Sequence, residues 1–133
     1  MPTATYRRSQ LRDLVVQFTD AFNRDDLNGV MAYFADDAIY DEFNGTRSVG
    51  KAAIRAAFAP QFRGDFGTIR FLTEDLFVDA DSGKALIRWR CTLQGERING
   101  QWHGLDILHF VDGLVTEKHT YAKAAAPLLQ DLA

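Results

Sequence analysis

The chain has 133 residues, which is about the size of one domain and too short for two separate hydrophobic cores. Hydrophobic residues make up 47% and charged residues 25%, a globular balance that excludes disordered, collagen-like and coiled-coil chains. The net charge is −3 and the Lys and Arg residues are scattered, so we expect no nucleic-acid partner. We therefore treat residues 1–133 as a single domain.

The sequence also lacks the features that mark export or membrane insertion. Its first ten residues, MPTATYRRSQ, contain no apolar core of a signal peptide, and no apolar run is long enough to cross a bilayer. Cys91 is the single cysteine, so no intrachain disulfide can form. We expect a cytoplasmic protein without membrane contact.

Apolar spacing in the first half of the chain predicts three helices. One long helix is indicated by apolar residues at three- and four-residue steps, namely Leu11, Leu14, Val15, Phe18 and Phe22. Asp25 or Asp26 is placed to cap a short second helix that carries apolar residues up to Phe34. Asp36-Asp37 then indicates a turn before a strand that begins at Ala38. A third helix is predicted from Ala52 to about Phe58, with Pro60 ending it.

From Thr68 onward the apolar period changes to two, which indicates strands. The first strand reaches a turn at residues 79–83. The next strand places on one face Ile87, Trp89, Cys91 and Leu93. A third strand places on one face Trp102, Gly104, Asp106, Leu108 and Phe110. Asp112-Gly113 is a hairpin signal, and a last strand is predicted from Leu114 to about Tyr121.

This order of elements predicts an α+β fold with three helices and a curved antiparallel sheet. All the helices precede the long strands, so the sheet must curl around the long first helix to bury both apolar faces. The expected shape is a cone with the first helix across its concave side.

Four segments, in this order, resemble the nuclear transport factor 2-like superfamily, in particular its SnoaL-like and ketosteroid isomerase-like branches. They are AFNRDDLNGV (21–30), YFADDAIYDE (33–42), GKAAIRAAF (50–58) and GLDILHFVDG (104–113). The resemblance implies a cystatin-like cone with an internal pocket and a homodimer formed through the outer sheet face, where Leu105 and Ile107 are expected. It does not fix the chemistry, because the superfamily includes isomerases, cyclases, dehydratases and binding domains.

Asp106 is the first candidate for catalysis. It is the charged residue on a strand face that otherwise holds Trp102, Leu108 and Phe110, so desolvation is expected to raise its pKa. By the resemblance, Asp106 matches an aspartate that serves as oxyanion donor in ketosteroid isomerases and as acid/base in SnoaL-like cyclases. The alternative is a structural aspartate paired with a buried arginine or a backbone amide.

Glu42 is the second candidate, because it matches the catalytic aspartate of the isomerases with one extra methylene. That methylene displaces the carboxylate, and a solvated position at the cone mouth is the alternative. Phe18 occupies the position of the isomerases' oxyanion tyrosine but has no hydroxyl, which argues against genuine isomerase activity.

The remaining pocket candidates are aromatic or apolar residues and one histidine. The strand periodicity and the resemblance together suggest pocket positions for Phe22, Tyr33, Trp89, Trp102, Leu108, His119 and Tyr121. His119 is a candidate acid/base whose strand face the sequence leaves open. His103 and His109 alternate with Asp106 and are expected to point outward.

No cofactor and no metal site is predicted. The histidines lack carboxylates at ligand spacing, and phosphate-loop, nucleophile-elbow and dinucleotide motifs do not occur in the sequence. Two hypotheses follow. One is a cofactor-free isomerase, cyclase or dehydratase in which a carboxylate transfers protons to a small apolar organic molecule. The other is a non-catalytic small-ligand-binding or dimeric interaction domain.

Overall fold

The computed structural model describes residues 6–132, and its helical part consists of α1 (Arg8–Asn23), α2 (Leu27–Ala32) and α3 (Lys51–Phe62). The apolar face predicted for α1 is confirmed, since it is formed by the buried residues Leu11, Val15, Phe18, Ala21 and Phe22. Of the two candidate caps for α2, Asp26 is the one used: its carboxylate accepts a hydrogen bond of 2.9 Å from the backbone N–H of Gly29.

The strands form one six-stranded sheet in the order β2-β1-β6-β5-β4-β3. Their bounds are β1 (Phe34–Asp41), β2 (Arg47–Val49), β3 (Thr68–Asp79), β4 (Lys84–Gln94), β5 (Asn99–Val111) and β6 (Leu114–Ala122). β1 runs parallel to β6, and every other neighbouring pair is antiparallel. The sheet is curved and unclosed, and α1 packs against β3 and β4. The predicted α+β fold with a sheet curled around the first helix is confirmed.

The alternation predicted for β4 and β5 is also confirmed. The concave face of β4 carries the buried Ile87, Trp89 and Cys91, and that of β5 carries the buried Asp106 and Leu108. Ile87 lies directly opposite Asp106 in the register of these two strands. These faces of β4 and β5 pack against the apolar side of α1. The hydrophobic core and Asp106 therefore lie in the same layer, between α1 and the sheet.

Two boundaries differ from the prediction. Phe34 belongs to β1 and not to α2, because its backbone pairs with Val115 of β6. Its side chain is buried, and Asp36-Asp37 forms an irregularity within β1 in place of a turn. α3 continues past Pro60 to Phe62. Proline removes the hydrogen bond that its own N–H would make, but the next turn is still closed by Arg63 N–H, which donates to Ala59 O at 2.9 Å.

Residues 1–5 lie outside the described part of the chain, and so does the first half of the N-terminal stretch considered for a signal peptide. None of the helices within residues 6–132 combines the length and the apolar character that crossing a lipid bilayer requires.

Gly104 is required by the close approach of Trp89, which lies opposite it in the β4–β5 register. A Cβ added at Gly104 would overlap the indole ring of Trp89 and the backbone carbonyl oxygen of Tyr121. We therefore expect Gly104→Ala to lower the free energy of unfolding by about 1–3 kcal/mol, as overpacking usually does. Urea unfolding followed by circular dichroism measures this change.

Gly100→Ala is the matched control, because it lies on the same strand and an added Cβ there meets nothing within 4 Å. Equal unfolding free energies for the two variants would contradict the packing argument.

Candidate active site

An internal cavity of about 100 Å³ lies between α1, α3 and the concave face of the sheet. Most of its wall is apolar and comes from both helices and from strands β3 to β5, with side chains that include Phe18, Phe22, Phe58, Ile69, Phe71, Ile87, Trp89, Trp102 and Leu108. Phe43 also lines the cavity and is 57% exposed, so it marks the side that opens to solvent. The cavity is therefore a mostly apolar space with an exposed aromatic side chain, Phe43, on one side.

Aromatic contacts hold the walls in place. The ring of Phe22 makes edge-to-face contacts with Phe18 and Phe58, each with centroids 5.2 Å apart, and with Phe71 at 5.8 Å. Tyr40 stacks on Phe58 at 4.8 Å. Such pairs add to the stabilisation that comes from buried area alone, so this wall is well ordered.

Asp106 projects from β5 into the cavity and is only 7% exposed. Its two carboxylate oxygens accept hydrogen bonds from three side chains. The indole N–H of Trp89 donates to Oδ2 at 3.1 Å, while Lys118 Nζ at 2.9 Å and the Thr120 hydroxyl at 2.5 Å donate to Oδ1. Asp106 is therefore a carboxylate with hydrogen-bond donors on both oxygens. The sequence leaves a paired aspartate open as an alternative, and the charged partner is a lysine in place of the arginine named there.

Lys118, on β6, is the positive partner of Asp106 and is 5% exposed. Its ammonium also donates to Thr120 Oγ1 at 2.7 Å and lies 4.6 Å from the centre of the Tyr40 ring. Burial acts to lower the pKa of Lys118, but the charge of Asp106 and its hydrogen bond outweigh it, so the pKa is raised above its usual value. The side chain is therefore a buried ammonium ion.

Tyr40 brings a phenol hydroxyl to the same cavity. Burial raises the pKa of Tyr40, and the nearby positive charge of Lys118 partly opposes that shift. The hydroxyl therefore stays neutral near physiological pH.

The structure brings six of the sequence-predicted site residues together in the cavity lining: Asp106, Phe18, Phe22, Trp89, Trp102 and Leu108. Glu42 follows β1 and is half-buried outside that lining. Its negative charge acts to raise the pKa of both Tyr40 and Lys118.

The expected pocket positions of His119, Tyr121 and Tyr33 need correction. His119 and Tyr121 point to the outer face of β6, because the β5–β6 register shifts between His109 and Phe110. Val115 pairs with Phe110 and Glu117 pairs with His109, so Thr116 is an extra residue that reverses the alternation after it. The hydroxyl of Tyr33 donates to Gln17 Oε1 at 3.3 Å, outside the cavity.

The same bulge explains which residues the sequence analysis missed. Lys118 and Thr120 face the cavity, whereas simple alternation from the buried Val115 predicts an outward position for both. A lysine two residues before a threonine carries no signal of burial. The sequence does contain one indirect indication. If Asp106 is buried, its carboxylate requires a cation or hydrogen-bond donors nearby.

Cys91 is buried next to this site without taking part in its hydrogen bonds. Burial raises the pKa of its thiol to about 12. The thiol therefore packs as a small apolar side chain, as the sequence predicted, and is not an activated nucleophile.

Solved structures of similar fold come from several bacteria. A proposed ketosteroid isomerase from Kribbella flavida DSM 17836 is 22% identical, with 93% of this chain and 85% of that chain covered and a TM-score of 0.73. A proposed polyketide cyclase from Pseudomonas putida KT2440 is 20% identical, with 85% and 91% covered and a TM-score of 0.71. A cystatin-like protein from Methylobium petroleophilum PM1 is 20% identical, with 98% and 85% covered and a TM-score of 0.76.

At these identities the likeness to solved structures establishes the fold. None of the curated proteins matches the chain. The model of the SnoaL-like domain family matches residues 15–118, a segment that contains α2, α3, strands β1 to β5 and the Asp106–Lys118 pair. The chain therefore belongs to the SnoaL-like domain family.

Proposed function

We propose that this domain binds a small, mostly apolar organic molecule with a carbonyl group and moves a proton on it without a cofactor. The observation that carries the proposal is the buried ion pair of Asp106 and Lys118 facing an apolar cavity. Taking two charges out of water costs several kcal/mol per ion, and an apolar pair of similar size is often as stable. Ionised groups in such a setting are typical of functional sites.

Asp106 is the proposed base. Its carboxylate accepts hydrogen bonds from the ammonium of Lys118 at 2.9 Å and from the N–H of Trp89 at 3.1 Å. This arrangement supports a carboxylate that accepts a proton, in preference to the protonated oxyanion donor considered from the sequence. Glu42 stays a candidate second carboxylate, since its negative charge acts on Lys118 although its side chain lies outside the cavity lining.

In the proposed step, Asp106 removes a proton from a carbon atom next to the carbonyl group. The C–H bond breaks, its electron pair forms the enolate, and the negative charge develops on the carbonyl oxygen. Lys118 is placed to donate a hydrogen bond to that oxygen, and charged donors act strongly in a site that excludes water. In a β,γ-unsaturated carbonyl compound, return of the proton from Asp106 to the γ-carbon of the dienolate completes an isomerisation. In a molecule with a second carbonyl group, attack of the enolate on that carbonyl carbon forms a C–C bond and an alkoxide, and the proton held by Asp106 goes to the alkoxide to complete a cyclisation.

The cavity volume limits the substrate. About 100 Å³ is smaller than the roughly 150 Å³ that accommodates benzene in an engineered protein cavity. We therefore propose a molecule of a few carbon atoms, or a larger one whose reactive end alone passes Phe43. The fold likeness to a proposed polyketide cyclase and a proposed ketosteroid isomerase agrees with carbonyl chemistry of this kind.

A second candidate is a non-catalytic binding domain for the same class of molecule. Two observations favour it. Phe18 supplies no hydroxyl, and Asp106 and the ammonium of Lys118 already have partners within the protein. In that case the pair would orient a ligand by one hydrogen bond, and binding would proceed without turnover.

Hydrogen–deuterium exchange separates the two candidates, because it detects proton removal without knowledge of the product. We expect the protein to accelerate exchange at the carbon next to the carbonyl in small ketones in D₂O, followed by proton NMR. Asp106→Asn should slow this exchange by about 10²- to 10⁴-fold, which is the usual contribution of a general base. Glu74→Gln is the matched control, since Glu74 is a carboxylate that contacts His103 away from the cavity.

Retained exchange in a folded Asp106→Asn protein would show that Asp106 is not the base. Saturable ketone binding without any exchange in the unmodified protein would instead select the binding domain.

The buried pair also predicts a coupled effect on stability. Removing one partner leaves the other charge buried alone, so Asp106→Leu or Lys118→Met should each lower the free energy of unfolding by about 3–5 kcal/mol. The double variant should recover most of that loss, because an apolar pair replaces the ionic one. Urea unfolding of all four proteins measures the coupling, and additive losses in the double variant would mean that the two residues act independently.

A further inference from the structure

The outer face of the sheet carries a cluster of two histidines and two carboxylates, on the side away from the cavity. His109 lies on β5, Glu117 and His119 lie on β6, and Asp41 lies on β1. The sequence analysis predicts no carboxylate at ligand spacing from the histidines, but in the structure the Glu117 carboxylate bridges His109 and His119. Its Oε2 is 3.0 Å from His109 Nδ1, and its Oε1 is 2.9 Å from His119 Nε2.

The bulge at Thr116 builds this cluster. It places Glu117 directly opposite His109 and turns His119 to the same outer face, next to Asp41 in the parallel β1–β6 pair. The side chains of His109, Glu117 and His119 are 26%, 37% and 20% exposed. The cluster is therefore preformed by the strands and reachable from solvent.

We propose that His109 Nδ1, the Glu117 carboxylate and His119 Nε2 bind one Zn²⁺ ion. Two imidazole nitrogens and one carboxylate are an established zinc ligand set that leaves a further position open to water. One ligand atom from each residue lies within 4.8 Å of the others. Bonds of about 2.0–2.1 Å to a tetrahedral ion place the ligand atoms about 3.3–3.4 Å apart, so binding requires rotations that bring the side chains closer together.

Asp41 supports this assignment through the other nitrogen of His119. Its Oδ2 lies 2.8 Å from His119 Nδ1, and Arg47 holds the carboxylate with hydrogen bonds of 2.6 and 2.8 Å. A carboxylate on the far nitrogen fixes the ring orientation and the tautomer that leaves Nε2 for a metal ion. A bound ion would replace the proton between Nε2 and Glu117, and it would connect β5 with β6 on the outer face.

Isothermal titration calorimetry of the chelator-treated protein with ZnCl₂ tests this site. We expect one equivalent of Zn²⁺ to bind the unmodified protein and His103→Ala. His103 is the matched control, because it forms an outer-face pair with Glu74 at 2.9 Å but has no second histidine there. Asp41→Asn should weaken binding by about 10- to 100-fold, as expected for a residue that orients a ligand.

His109→Ala and His119→Ala should lose that binding, and Co²⁺ should give a visible d–d absorption band in the unmodified protein that both variants lack. Zn²⁺ should also raise the melting temperature of the unmodified protein and of His103→Ala, since an ion that binds the folded state stabilises it. It should leave the melting temperatures of His109→Ala and His119→Ala unchanged. Equal Zn²⁺ affinity in the unmodified protein and in a folded His109→Ala/His119→Ala protein would overturn the site. Absence of binding to the unmodified protein would do so as well. Neither result bears on Asp106, which faces the cavity on the opposite side of the sheet.

Discussion

The ion pair between Asp106 and Lys118 determines the polarity of the cavity between α1 and the sheet. Both side chains are almost fully buried, with Nζ and Oδ1 2.9 Å apart, among the rings of Phe22, Tyr40 and Phe58. Either ion alone would be very costly there, so each makes the other tolerable. Trp89 and Thr120 donate two further hydrogen bonds to the carboxylate, and this accounts for two polar side chains that an apolar core would otherwise not contain.

A single backbone irregularity, the bulge at Thr116, divides the polar residues of β6 between two faces. Residues after it alternate in the opposite sense, which sends Lys118 and Thr120 to the concave face and Glu117 and His119 to the outer face. A strand without the bulge would bury a glutamate and a histidine and expose the lysine. Asp106 would then face no cation, and His109 would lose its carboxylate. The chemistry of both faces therefore depends on one extra residue in one strand.

A structural feature can be predicted from the sequence when the residues that determine it lie close together along the chain. The apolar steps of α1 and the strict alternation of β4 and β5 are local, and they were sufficient to place Phe18, Trp89 and Asp106 on the correct faces. The bulge is not local, because it is defined by the pairing of Val115 and Glu117 with β5. Phe34 was misassigned for the same reason: its membership in β1 depends on contact with β6, whereas its spacing alone suits α2. The family resemblance supplied the topology but could not supply Lys118, since the resemblance was carried by segments that end at Gly113.

In the proposed reaction, Lys118 can supply the hydrogen-bond donor that Phe18, which has no hydroxyl, cannot. In the proposed reaction the enolate oxygen needs a donor, and a buried ammonium is a stronger donor than a neutral hydroxyl in a low-dielectric site. The ammonium already uses Asp106 and Thr120, so the contact most easily given up is the one with the face of the Tyr40 ring, 4.6 Å away. Where water is excluded, a cation–π contact is worth about 2 kcal/mol or more, and removal of one oxyanion donor costs about 2.7–4 kcal/mol. In the proposed reaction, Lys118 serves catalysis and does not only neutralise Asp106 when its bond to the developing oxyanion is worth more than the ring contact that it replaces.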